Sequence, residues 1–452
     1  MSAILGLVSG KTFSDNSFHN RNNRRRIFHD YPVGQFPLTG LLSLMDSEET
    51  DSFEYGWWEK RYDSPETTIT ADGGSSLPYG DSSGTNLAAT VILAAGTEYR
   101  VGVADPSDFL VRNQIWLQDV PISGATTDVK GVITALGADY IQFQCSETTL
   151  TLLNNAGGTG PVGFTVVVAG NAVGEGASAL SGRFYPPIRQ TNYTQIFRNA
   201  FSFTRSAMKV PAEFDKTGLY KEKAEDNLRQ HMVDIEMAFL FGSRRTDNVT
   251  ENGELVPRRQ TGGLIWFLQQ WEAANSVYRG GSGAAAITAI ADDQKRILPC
   301  VSNTVTFAVF NSYIERAFRS TNDKAFEKLF LCGSGFLASI NTYFEGKAHL
   351  QKNFTAQKVY GMNVVTWETP FGTIHFKTHP LFSRSSALRY NGLLLDVQNL
   401  KYRALNDSDT SLLDNRQAND FDGRKDEWIT EAGLEVALPE SCMYIKNMQA
   451  LT

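Results

Sequence analysis

No run of about 18 consecutive apolar residues occurs in the chain, so the sequence offers no membrane-spanning helix. Charge is also sparse. Asp, Glu, Lys and Arg make up 20% of 452 residues, with Asp+Glu 49 against Lys+Arg 42 for a net charge of −7, where about a quarter is usual. That balance is the reverse of a net-basic nucleic-acid binder, and it leaves much of the surface neutral polar or apolar, as self-associating chains require. Cysteine is scarce and scattered: Cys145, Cys300, Cys332 and Cys442 form no C-x-x-C pair. This excludes a disulfide framework and the common zinc frameworks, and it predicts buried thiols in a reducing compartment. The opening Met1–Gly10 lacks a basic segment before its short apolar run and does not read as a signal peptide.

Catalytic constellations are missing as well. His375 and His379 have the spacing of a zinc helix, but they sit in a strand pattern ending at Pro380, where four residues span about 13 Å, and no H-E-x-x-H glutamate accompanies them. Cys332-Gly-Ser334-Gly reads as a tight turn with no strand–turn–helix frame around a nucleophile. Asp407-Ser-Asp409-Thr-Ser411 starts like a calcium loop, yet Leu412 stands where its glycine belongs and Ala418 where its glutamate belongs. Gly157-Gly158-Thr159-Gly160 has no following Lys-Ser/Thr and reads as a hairpin loop rather than a phosphate cradle. Asp420-Phe-Asp422-Gly423 reads as a solvated charged turn. These absences predict no enzyme, no metal and no cofactor.

Hydrophobic residues make up 42% of the chain and aromatic residues 11%, which rules out global disorder. At about 150 residues per domain the length suggests roughly three packed units. Residues 1–45 are rich in Asn, Ser and Arg, culminate in Arg24, Arg25 and Arg26, and read as an arm that cannot form its own core, with a short apolar helix over Pro37–Met45. Phe53–Glu59 is a dense aromatic patch. Its neighbours Trp57 and Trp58 point to opposite faces of a strand, so both are expected to need cover from another element or another subunit.

Between about Asp63 and Gly182 the composition shifts to Gly, Thr, Ser, Ala and Val. Strand-like segments at Glu98–Val103, Gln114–Gln118, Val129–Ala135, Tyr140–Gln144 and Phe164–Val168 are punctuated by turn residues and predict a small all-β domain over about 71–170. Trp116 and Phe143 are expected in its core. The strongest helix pattern runs from about 218 to 241, with Leu219, Leu228, Met232, Ile235 and Phe239 on one face and Gly242 as the stop. Further on come a strand over Val305–Phe310, a helix over Ser312–Arg319, a hairpin turning at Thr369–Gly372, and strands at Gly433–Leu438 and Met443–Ile445. One long helix with scattered antiparallel strands means α+β.

Pro37–Met45 leading into Phe53–Glu59, Thr191–Phe197 with Thr204-Arg205, the helix Lys221–Gly242, and Trp428–Val436 together resemble the major capsid proteins of tailed bacteriophages, the family with the Hong Kong 97-type fold. The resemblance implies an N-terminal arm (1–45), an extended loop region (46–200) enclosing the β insertion, a peripheral domain (201–300) built on the spine helix, an axial domain (301–400), and C-terminal strands (401–452) returning to the core. It implies a virion protein, made in the bacterial host cytoplasm, that binds copies of itself as hexamers and pentamers around double-stranded DNA. It also implies portal and possibly scaffolding or decoration proteins as partners, and no membrane. The acidic balance fits a shell that contains DNA without gripping it. The expected assembly contacts are Arg24, Arg25, Arg26, Trp57 and Trp58, and the expected spine-helix core is Leu228, Met232, Ile235 and Phe239. The β-rich insertion is a departure from the simplest members. No local motif marks a Lys–Asn pair for the self-crosslinking of some members, and no long charged helical region before the arm suggests a scaffolding segment. The alternative is a tail-associated polysaccharide-binding or degrading protein, suggested by the Gly/Thr-rich segment, although no short internal repeat supports a β-helix.

Overall fold

The computed structural model describes Leu38 and residues 47–451, apart from 61–65, 71–77, 89, 123–124, 154–163, 180–181, 183–185, 210–218, 274–293, 301–303, 320–326, 347–354 and 360–361. Arg24, Arg25 and Arg26, the glycine run at 157–160 and most of the helix expected over Pro37–Met45 lie outside the described residues. The chain divides into two compact units: Lys60–Pro187, and the remainder up to Glu59 and from Ile188 onward.

Unit Lys60–Pro187 is a nine-stranded antiparallel sheet in the order Glu66–Thr68, Thr165–Asn171, Asn113–Ile122, Ala125–Leu136, Tyr140–Cys145, Glu98–Gly102, Tyr79–Asp81, with Leu152–Leu153 and Thr90–Val91 attached. Alternate residues face one core: Ile115 and Leu117, Val129 and Ile133, Ile141 and Phe143, Tyr99 and Val101 are all buried. An isolated bridge between Ile69 and Val103, with Thr70 N–H donating to Gly102 O at 2.9 Å, ties the first strand to Glu98–Gly102, so the sheet curls round on itself. The unit starts earlier than the expected residue 71 because Glu66–Thr68 pairs with Thr165–Val167 and Ile69 is fully buried, both ahead of the Gly73-Gly74 composition change. Phe143 lies in the core, whereas Trp116 is only half-buried at its edge.

In the larger unit the spine helix runs Leu219–Phe241. Gly242 ends it: a side chain there would lie 2.4 Å from Ala238 O and 2.7 Å from Thr261 O, so only glycine admits this close approach of the next segment. The helix packs on a five-stranded sheet in which Gly423–Val436 is central, paired with Gln195–Thr204 on one side and with Leu400–Leu405 and Ser411–Leu413 on the other, while Glu48–Thr50 adds to Leu400–Leu405.

A seven-stranded mixed sheet in the order Ile297–Pro299, Met443–Lys446, Gly392–Leu395, Glu327–Cys332, Gly372–Thr378, Met362–Thr369, Thr355–Val359 separates two cores. Leu329, Leu331, Leu393 and Leu395 face the spine-helix core, and Phe330, Cys332 and Leu394 face the other. A strand covered on both faces reads as a continuous apolar run, which is what Leu329–Cys332 is.

Two local expectations are corrected. The strand expected over Val305–Phe310 is a two-residue strand, Thr304–Val305, followed by a helix over Phe307–Arg319. Val305, Phe307 and Phe310 look like strand residues, but Phe310, Ile314 and Ala317 recur at helical spacing and bury together, and Thr306 takes the Phe310 N–H at 2.9 Å to start the helix. Cys332-Gly-Ser334 does sit between a strand and a helix, Glu327–Cys332 and Ser334–Gly346.

Candidate interaction surfaces

Glu54–Glu59 and Ile188–Tyr193 form a two-stranded antiparallel ribbon in which Trp58 faces Arg189 and Trp57 faces Gln190. The period of two sends Tyr55, Trp57 and Glu59 inward. Trp57 packs 5.8 Å from the Phe267 ring and donates its indole N–H to Glu59 Oε1 at 2.8 Å. The cover expected for Trp57 comes from another element of the same protomer, the helix Leu264–Glu272, so its burial in that core corrects the expectation that it is an assembly contact. Trp58 is 68% exposed on the open face.

Beside the ribbon a hairpin joins Arg245–Glu251 to Glu254–Gln260 through Asn252 (φ 53°) and Gly253 (φ 84°). Asn-Gly with both residues at positive φ is the turn whose twist suits a two-residue hairpin. This pair was the sequence signal for an element the periodicity did not reveal. Most hairpin residues are exposed on both faces, Leu255 at 69%. A lone two-stranded ribbon is marginal in water, and the hairpin is secured at its base by arginines. Arg259 stacks 3.7 Å above the Phe53 ring, and Arg244 lies 4.6 Å above Tyr193 while bonding Thr191 at 2.7 Å and Glu54 at 3.2 Å. Across the strands, Arg258 holds the Asp247 carboxyl below the usual range by hydrogen bonds at 2.6 and 3.1 Å. Arginine and aromatic residues with little Lys or Glu at the centre are the composition of protein interfaces.

On the spine helix, Ile235 and Phe239 are buried and Met232 is half-buried against the same core. Leu228 is corrected: it is half-buried and outside that core, because burial is concentrated from His231 to Leu240 and the N-terminal half of the helix extends beyond it. Polar residues share the buried stripe. His231 bridges Asn199 Oδ1 (2.7 Å from Nδ1) and Thr430 Oγ1 (2.8 Å from Nε2). Since the amide oxygen can only accept, Nδ1 carries the proton and Nε2 accepts from the threonine. Burial pushes this imidazole below its ordinary value.

Chemistry does not gather elsewhere among the described residues, where no three His, Cys, Asp or Glu side chains converge as a metal site would need. His379 meets Glu236 and His375 meets Thr366, so the two histidines serve different partners. Cys332 is fully buried and burial pushes its thiol up, the opposite of what a nucleophile needs. All four cysteines are free and buried. Asp409 accepts from Tyr402 in a cavity of about 250 Å³ that Glu48 and Asp407 also line, with Glu48 paired to Arg403.

The family model for the SU10 major capsid protein matches residues 33–449. A major capsid protein of Pseudomonas phage PaMx41 is 21% identical over 476 aligned residues, covering 99% of this chain and 97% of the relative. Among solved structures, the cyanophage A-1(L) capsid aligns with TM-score 0.39 and 12% identity over 62% of this chain and 85% of that one. The holo-SrpI encapsulin complex of Synechococcus elongatus PCC 7942 aligns with TM-score 0.39 and 8% identity over 58% and 78%. The family match leaves the alternative of a tail-associated polysaccharide protein without support. With a match extending across both compact units, the chain belongs to the SU10 major capsid protein family.

Proposed function

We propose that copies of this capsid protein associate as hexamers and pentamers into an icosahedral shell with the Hong Kong 97-type architecture: arm, extended loop, peripheral domain on the spine helix, and axial domain. The open ribbon face with Trp58 and the hairpin with Leu255 are its surfaces for neighbouring copies, and Arg24, Arg25 and Arg26 contribute contacts from the arm. The β unit is an insertion in the extended loop that braces contacts between capsomers, a placement supported by the chain leaving at Glu59 and returning at Ile188, residues paired across the ribbon. The shell encloses double-stranded DNA without reading its sequence, and it has a portal and possibly scaffolding or decoration proteins as partners.

The observation that carries the reading is Trp58, 68% exposed on a strand whose opposite face is buried. Exposed tryptophans of this kind act as anchors in interfaces. Trp58→Ser should leave the protomer's melt unchanged and reduce closed particles in sedimentation and negative-stain images at least tenfold. Wild-type yields from Trp58→Ser would remove Trp58 from the interface, and elongated trimers in place of closed particles would overturn the shell reading.

A further inference from the structure

Glu236 is a fully buried carboxylate in the middle of the spine helix, and two groups from distant parts of the chain converge on one of its oxygens. The backbone N–H of Leu38 donates to Oε1 at 3.0 Å, and His379 Nε2 lies 2.9 Å from the same atom. Leu38 and His379 are themselves fully buried.

His379 is fixed from several sides. Its N–H donates to Cys332 O at 2.8 Å, its carbonyl accepts the Ser383 hydroxyl at 3.0 Å, and its ring stacks 4.6 Å from Phe382, whose other neighbour is Phe241 at the end of the spine helix. With Nε2 facing a carboxylate, the ring donates from Nε2, and Nδ1 is buried with no partner among the described residues. The imidazole is thus held by its packing and aimed at one acceptor.

We infer that Glu236 and His379 form a clasp that fastens the N-terminal segment to the spine helix at Leu38, with the carboxylate as the shared acceptor and the imidazole holding it in place. A residue at 38 needs only its N–H and an apolar side chain to be held, so attachment is written into the helix and into the strand end at Thr378. A carboxylate excluded from water exerts its full pull on each donor, since a buried charge without partners is costly. The clasp thereby ties arm placement to the same helix that organises the larger unit. Its part in assembly rests on the capsid reading above, whereas its part in the protomer does not.

The test separates the two. In dissociated full-length protomer, deuterium uptake of peptides covering residues 38–45 is compared for wild type, Glu236→Gln, Glu236→Leu, Leu38→Ala and Leu38→Pro. Glu236→Leu removes the acceptor, and Leu38→Pro removes the donor that Leu38→Ala keeps. Loss of a hydrogen bond to a charged group should speed exchange by roughly tenfold or more, at the Leu38 amide in Glu236→Leu and, since proline has no amide hydrogen, at the amides that follow it in Leu38→Pro, with smaller effects for Glu236→Gln and Leu38→Ala. The double variant Glu236→Leu/Leu38→Pro should exchange no faster than either single one. Because Glu236→Leu strands His379, His379→Leu/Glu236→Leu serves as a folded reference. Unchanged exchange, or additive effects in the double variant, would overturn the clasp. Freed arms in protomers that still form wild-type numbers of closed particles would overturn its role in assembly and leave the attachment standing.

Discussion

The two compact units bury different things. Among the described residues of Lys60–Pro187 the buried side chains are apolar apart from Thr67 and Asn113, whereas the larger unit buries His231, Glu236, Arg296, Lys328, His379, Asp396, Asp426 and Glu435. An antiparallel sheet curled on itself satisfies its backbone by strand pairing and needs only alternating apolar residues inside. The larger unit has helix ends and loops converging on two cores, and their backbone groups are met by charged side chains: Lys328 Nζ donates to Ala317 O at 2.8 Å and to Ser441 O at 2.6 Å, capping the helix Phe307–Arg319 from within. Pattern specifies one unit, and a set of individually placed polar contacts specifies the other.

The largest effect should come from removing one such contact. Burial pushes the Lys328 ammonium below its ordinary value, and Asp396 beside it favours the charged form. Lys328→Met leaves two carbonyls and the buried Asp396 without that cation, at a cost of about 3–5 kcal/mol. Calorimetry should show the larger unit's transition falling while that of Lys60–Pro187 stays in place. A common shift of both, or a change below about 1 kcal/mol, would break the distinction.

A middle-sized effect follows from pH. All six histidines lie outside Lys60–Pro187. His231 is held below its ordinary value by burial, with Asp234 opposing. Below the unfolded value near 6.5 the unfolded chain binds a proton that folded His231 resists, so stability is complete above that value and declines as pH falls through it, by at most about 1.4 kcal/mol per pH unit. Protonation would also make Nε2 a donor, forcing the Thr430 hydroxyl to turn from His231 toward Thr410 at 2.9 Å. Melts recorded from pH 7.5 to 5 should slope for the larger unit and stay flatter for the β unit, and His231→Gln should reduce the slope. An unchanged slope in that variant would assign the dependence elsewhere.

The same contrast explains what could be read from the sequence. The strands around Glu98–Gly102, Asn113–Ile122, Ala125–Leu136 and Tyr140–Cys145 were legible because alternation and turn residues are local signals. The spine helix was legible from Ile235 and Phe239, but Leu228 satisfies the same spacing beyond the end of the core, and spacing does not say how far a neighbour extends. Trp57 and Trp58 were placed on opposite faces correctly, yet which face met Phe267 depended on a helix more than 200 residues away. The hairpin at Arg245–Gln260 has few apolar residues to alternate, and only Asn252-Gly253 announces it. Glu236, His231 and Lys328 carry no local signal of burial, because their partners, Leu38, Asn199 and Ser441 among them, are set by tertiary structure alone.

The smallest effect should fall on Asn113, one of the two exceptions inside the β unit. The Asn113 side chain accepts the Leu110 N–H at 2.7 Å and donates to Gly170 O at 3.3 Å, bridging a turn to the strand Thr165–Asn171. Its backbone also sits in the ladder, with Asn113 opposite Asn171, next to the register shift between Val168 and Gly170. Asn113→Ala removes two neutral hydrogen bonds at the rim of the sheet and leaves the ladder and the apolar interior intact, so the cost should be about 1 kcal/mol. The residues 60–187 expressed alone should fold with dispersed amide signals, and the variant should keep that dispersion while melting a few degrees lower. A loss comparable to that of Lys328→Met, or collapse of the spectrum, would mean that the β unit too depends on a placed polar contact, and that alternation of Ile115, Leu117, Val129 and Ile133 is insufficient to specify it.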